Sequence, residues 1–127
     1  MRILAALVAS FLVALTATAA SAQSVPVMVW AEDDLDPCAW GQVRGLKASG
    51  DGFLSVRKGP GSHYGRIDKI HNGQGLFLCD YRDGWHGVIY TKKGTDCKIG
   101  RPTSPRPYQG RCWVGWAHEN WIVLIAG

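Results

Sequence analysis

The sequence lacks the local patterns that mark a catalytic or metal-binding protein. None of its four histidines and four cysteines forms a Cys-x-x-Cys or His-x-x-x-His pair, whereas structural zinc sites usually contain such pairs. A Gly-x-Ser-x-Gly nucleophile motif is also absent. We therefore expect no metal, no cofactor and no catalytic residue. An enzyme, such as a small hydrolase using His63, His71, His86 or His118 with a carboxylate or Cys, is the weakest of the alternatives.

Long apolar runs are absent too, except for one near the N-terminus. Arg2 precedes an apolar run over residues 3–15, and the small residues Ala20 and Ala22 follow it. This run is shorter than the roughly 20 residues that span a bilayer, so it predicts a signal peptide over residues 1–22 rather than an anchor. Removing 22 of 127 residues leaves 105. The mature chain should be periplasmic or secreted and should have no membrane span.

The sequence has little excess charge. Its formal net charge is +4, of which Arg2 contributes one, and no basic stripe is interleaved with aromatic residues. A nucleic-acid partner is therefore not expected. A mature chain of this length forms one small domain with little room for a separate catalytic unit.

The four cysteines predict two disulfides, because an even number in a small exported domain is typical of a disulfide framework. Four cysteines allow three pairings. Cys97 and Cys112 bracket a segment rich in proline and glycine whose ends they could join, and Cys38 could reach Cys79 on a predicted strand. We favour these two pairs, each stabilising the fold by about 2–4 kcal/mol.

Short alternating segments separated by turns predict an all-β fold. Leu54 and Val56 alternate with Ser55 and Arg57, as in a half-buried strand. Further strands are predicted at residues 41–46, 66–70, 76–80, 85–90, 112–117 and 121–124, with a tight helical turn at residues 118–120. No segment of the mature chain has helical periodicity.

Two segments lie outside this strand pattern. Residues 91–111 hold three prolines and no apolar periodicity, which indicates an inserted loop. Residues 23–40 form an N-terminal extension in which Val25, Val27 and Val29 suggest either a short strand or a mobile leader. The main domain is then residues 41–127.

In the strand at residues 76–80 the pleat separates Leu76 from Cys79, so we expect Cys79 to lie outside the core.

The order of motifs between Gly52 and Leu124 resembles that of bacterial SH3 domains. The matching segments are Leu-Ser-Val-Arg-Lys-Gly-Pro at residues 54–60, Gly-Trp at residues 84–85 and Gly-Trp-Ala-His at residues 115–118. The long insertion and the cysteines depart from the family pattern. The resemblance implies a small SH3-like barrel of about five strands that binds a ligand without chemistry.

The same resemblance implies a shallow aromatic groove for cell-wall peptide or glycan. The predicted ligand-binding residues are Tyr64, Trp85, Trp121, His63, Asp83 and Asn120. Aromatic faces cover apolar ligand area and attract cations. Several of these positions also have a structural interpretation: Trp85 could equally be a core residue, and His63 could simply be exposed. Trp116 and Trp40 are expected in the core or at its rim. The alternative function is binding or structural interaction with another periplasmic protein through residues 91–111.

Overall fold

The computed structural model describes residues 6–15, 23–31, 35–47 and 52–127. Its strands are β1 (Met28–Val29), β2 (Ala39–Val43), β3 (Leu54–Arg57), β4 (Arg66–Ile70), β5 (Gly75–Arg82), β6 (Trp85–Tyr90), β7 (Arg106–Pro107), β8 (Trp113–His118) and β9 (Ile122–Ala126), with one 3-10 turn at Glu119–Trp121. The fold is all-β. In the described ranges no helix is long and apolar enough to cross a membrane. The predicted signal peptide and its cleavage site fall largely outside those ranges.

Seven strands form one antiparallel sheet in the order β4-β3-β8-β6-β5-β2-β9. Every segment predicted as a strand joins it, and the predicted bounds of β4 and β6 agree with the structure. The sheet is not closed into a barrel of about five strands, so that part of the prediction is not confirmed. Among the described residues β4 and β9, the first and last strands of the order, do not pair with each other, and β2 pairs with both β5 and β9. This pairing extends the sheet and leaves β4 and β9 as its two edges.

One face of the sheet carries the core that the alternation predicts. Its buried residues are Val43, Leu54, Val56, Ile70, Leu76, Val88, Tyr90 and Ala117. The Tyr90 hydroxyl donates a hydrogen bond of 2.6 Å to Asp68 at the rim, and Lys92 donates another of 2.9 Å. Burial raises the Asp68 pKa, but the hydrogen bonds from Tyr90 and Lys92 outweigh it and hold that pKa below its ordinary value.

The opposite face of the sheet carries a second core. Its buried residues are Val27, Val29, Cys79, Ile89, Cys97, Cys112 and Trp116. The expectation that Cys79 lies outside the core is therefore wrong. The pleat does separate Cys79 from Leu76, but both faces of the sheet are covered, so both become apolar interiors.

The N-terminal extension covers this second face by crossing four strands. The Val25 N–H donates to the Lys58 carbonyl just after β3, at 2.8 Å, and the Trp116 indole on β8 donates to the Val25 carbonyl, also at 2.8 Å. The Val27 side chain lies over Gly87 of β6, where the absence of a side chain makes room for it. Of the two alternatives for this segment, the structure contains the short strand, β1.

The insertion at residues 91–111 completes the cover of the second face. The extension and the insertion each contribute a cysteine to one of two disulfides. The bonds are Cys38–Cys79 and Cys97–Cys112, so the predicted pairing is confirmed. β7 pairs with β1, and the Tyr108 hydroxyl donates to the Cys97 carbonyl while accepting from the Cys112 N–H. The insertion is thus packed against the extension and bonded to it.

Candidate functional site

Two of the predicted ligand-binding residues lie together in the loop between β3 and β4. The rings of His63 and Tyr64 are 4.3 Å apart. The Tyr64 ring also packs over Gly59, where any side chain would collide with it. The loop turns sharply, as its glycines and proline predict. The Tyr64 ring therefore packs against the backbone of the same loop.

Two further predicted residues, Asp83 and Trp85, lie at the turn between β5 and β6, and a third, Asn120, lies in the adjoining 3-10 turn, whose Glu119 N–H donates to the Gly84 carbonyl. Asp83 and Gly84 both have positive φ angles, of 48° and 89°. They form a tight turn, so that β6 begins at the next residue, Trp85. The half-buried Trp85 packs on the second core and meets His118 edge to face, with ring centroids 5.1 Å apart. The His118 ring accepts from the Asn120 N–H. The structure therefore brings Asp83, Trp85 and Asn120 to one end of the sheet.

Trp121 lies elsewhere. Its ring packs beside Gly45, which has a φ of 87°, and its carbonyl accepts from the Arg44 N–H after β2. Among the described residues, the aromatic ring pairs do not join Tyr64, Trp85 and Trp121 to one another. The convergence of these three rings on one groove remains a prediction.

A groove runs beside β5 in the described part of the chain. Pairing of β2 with β5 ends at Ala39 and Leu78, and a bulge follows, while β5 continues to Arg82 with β6 as its one paired strand among the described residues. The gap beyond Ala39 opens a groove of about 1500 Å³. The extension and the insertion contribute one wall, and the 3-10 turn and β9 contribute the other.

Aromatic side chains from three separate segments line this groove: Trp30, Trp40, Phe77 and Tyr81. Trp30, Trp40 and Tyr81 are each 40–52% exposed. Trp40 lies over Gly75 and meets Phe77 edge to face at 4.9 Å, so its position is fixed by packing. Sequence reasoning did not single out Trp30 or Tyr81 as candidates, and it placed Trp40 at the core or its rim.

The Asp80 carboxylate holds the wall that carries Trp30. It accepts hydrogen bonds from the Met28 N–H at 3.1 Å, the Trp30 indole at 3.2 Å and the Tyr81 N–H at 2.9 Å. Asp80 is buried, and a buried carboxylate requires such donors. No local pattern in the sequence marks this residue, because two of its three donors lie about fifty positions away.

Polar side chains are placed among these rings: Asp36, His86, Arg101, Glu119 and Asn120. The Tyr81 hydroxyl donates to Glu119 at 3.0 Å, which raises the Tyr81 pKa. The His86 ring lies 5.3 Å from the Tyr81 ring, and its burial lowers the His86 pKa. Of the six predicted ligand-binding residues, Asn120 alone is among the residues that line this groove. The arrangement can cover an apolar or ring-shaped ligand and hydrogen-bond its polar groups.

The sequence matches no family model, no curated protein and no solved structure. Within the described ranges, no group of three or more His, Cys, Asp or Glu residues could hold a metal ion. What the groove does is therefore inferred from its own residues.

Proposed function

We propose that this chain is an exported, non-enzymatic binding module that takes cell-wall peptide or glycan into the groove beside β5. The observation that carries this proposal is the placement of Trp30, Trp40 and Tyr81, all substantially exposed, along one groove. Aromatic side chains supply large contact areas at low cost in rotamer entropy. Exposed rings lining a single concavity are typical of a ligand site.

The polar residues of the groove suit the same ligands. Cell-wall sugars and peptides combine apolar faces with hydroxyl, amide and ammonium groups. Glu119 and Asp36 offer carboxylate oxygens to an ammonium group, which the ring faces also attract. Asn120 and Arg101 offer donors to carbonyl or carboxylate oxygens. The groove thus replaces the predicted Tyr64, Trp85 and Trp121 surface as the first candidate, with Asn120 common to both.

Export is supported by the two disulfides, which are more typical of exported proteins than of cytosolic ones. The predicted signal peptide agrees with this. A relationship to bacterial SH3 domains is supported by the order of matching motifs, each of which lies on or beside a strand of the sheet. The open seven-stranded sheet, the packed extension and the insertion would be this chain's additions to that pattern.

The structure supports the two alternative functions, protein interaction through the insertion and hydrolysis, less well than ligand binding in the groove. Binding of another protein through residues 91–111 requires that segment to be available, yet its Tyr108, Cys97 and Cys112 are bonded within the domain. For a hydrolase, none of the four cysteines could serve as the nucleophile, because all four are in disulfides.

Retention on purified peptidoglycan sacculi tests the proposal. Trp40→Ala should reduce retention of the exported protein roughly ten-fold or more, as expected for a hot-spot aromatic residue. Trp113→Ala is the matched control, because Trp113 is 53% exposed and does not line the groove; it should be retained like the wild type. Equal retention of all three proteins would place the site elsewhere, and no retention of the wild type would exclude this ligand.

A further inference from the structure

The two edge strands of the seven-stranded sheet differ in charge. β4 carries Arg66, Asp68 and Lys69, whereas residues 121–127, which include β9, carry no charged side chain. Charged residues on an edge strand oppose pairing with another chain, and an uncharged apolar edge invites it. The β4 edge is therefore protected in the usual way, and the β9 edge is not.

Within the described ranges, no strand pairs with the outer side of β9. β2 is its one strand partner in the described part of the chain, with Gln42 opposite Val123 and Gly41 opposite Leu124. The Trp121 carbonyl accepts from the Arg44 N–H, so the backbone groups of Trp121 point toward β2. Because the backbone groups of successive residues in a strand point to opposite sides, those of Val123 point toward β2 as well. The Leu124 N–H and carbonyl consequently point outward. Leu124 itself is 60% exposed.

We propose that β9 pairs antiparallel with β9 of a second copy of this chain. A two-fold axis at Leu124 lets the two Leu124 residues exchange both of their outward hydrogen bonds. Val123 then stands opposite Ile125 of the other copy, and Ile122 opposite Ala126. The two seven-stranded sheets become one continuous sheet across the dimer.

The amino-acid composition of β9 favours a second copy of this chain as the strand that pairs with it. All of its side chains are aliphatic, so every cross-strand pair in this register is aliphatic and no like charges meet. Pairing β4 with itself would instead bring its cationic side chains together.

Sedimentation velocity of the exported protein over a range of concentrations tests the dimer. The wild type should show a concentration-dependent dimer, and Val123→Lys should remain a monomer at concentrations where the wild type dimerises. Ile67→Lys is the matched control, because Ile67 is 45% and Val123 46% exposed and both lie on edge strands. It should dimerise like the wild type. Val123 does not line the groove, so retention on sacculi should be unchanged.

Amide hydrogen exchange of the wild type gives a second test that needs no variant. Protection of the Leu124 N–H should rise with protein concentration, while the Val123 N–H, bonded to β2, should be protected throughout. A wild type that stays monomeric would overturn the proposal, and so would a dimer that survives Val123→Lys or is lost equally in Ile67→Lys. A monomer whose Leu124 is protected only by an added strand peptide of different sequence would show that the edge serves another partner.

Discussion

Replacing Asp80 tests whether its carboxylate fastens the extension to the sheet. Two of the three hydrogen bonds that buried Asp80 accepts, from Met28 and Trp30, join the extension to β5, and the third comes from the neighbouring Tyr81 N–H within β5. Removal of the carboxylate leaves three N–H donors without their acceptor. It also loosens the segment that supplies Val27 and Val29 to the second core.

The expected size of the effect follows from those three bonds. A hydrogen bond to a charged group stabilises a fold by roughly 1.5–3 kcal/mol. Water can reach part of this site once the carboxylate is gone, so Asp80→Ala should lower the free energy of unfolding by about 3–5 kcal/mol, less than the full sum of such bonds. Asp80→Asn retains one acceptor oxygen and should cost about 1–3 kcal/mol.

Urea unfolding of the exported protein measures this difference. Asp36→Ala is the control, because Asp36 makes one exposed ion pair, with Arg101, and should cost less than about 1 kcal/mol. Faster amide exchange at Met28 in Asp80→Ala would tie the loss to the extension. Equal unfolding free energies for Asp80→Ala and Asp36→Ala would refute the reasoning.

Three further predictions follow from the cores, the groove and the disulfides. Val56→Ala should lower the free energy of unfolding by ~1–3 kcal/mol because Val56 is fully buried, whereas Ser55→Ala should lower it little. Equal effects in denaturant melts would contradict the assignment of Val56, and not Ser55, to the buried side of β3. Burial lowers the His86 pKa below 6.5, so the unfolded chain binds the proton more readily and stability should fall as pH drops below about 6.5. That fall should be smaller in His86→Gln, and identical pH profiles of the melting temperature would rule His86 out. Intact exported protein should take up no alkylating reagent before reduction, as intact-mass measurement would show.

Local periodicity was sufficient to predict much of the main sheet. Alternation within a strand depends on neighbouring residues, so it located β4 and β6 and the buried side of Val56. The Cys97–Cys112 pair was also predictable, because these cysteines bracket a proline-rich segment and lie 15 positions apart, which leaves Cys38 and Cys79 as the second pair. In these cases the relevant information lies close together in the sequence.

The second core and the groove could not be predicted in this way. Alternation shows which residues share a face, but not whether another part of the chain covers it, and this is why Cys79 was misplaced. Trp30 reaches the groove through a hydrogen bond to Asp80, fifty residues away. The gap that opens the groove depends on where β2 stops pairing with β5. Neither contact leaves a local pattern.

The central claim is that the groove beside β5 is the ligand site, and the indole N–H signals of the six tryptophans test it most directly. Soluble peptidoglycan fragments would be titrated into ¹⁵N-labelled exported protein. The signals of Trp30 and Trp40 should shift with saturable dependence on fragment concentration, while that of Trp113 stays in place. Shifts confined to Trp85 and Trp121 would favour the surface predicted from sequence, and no shift of any indole signal at saturating fragment would contradict the account.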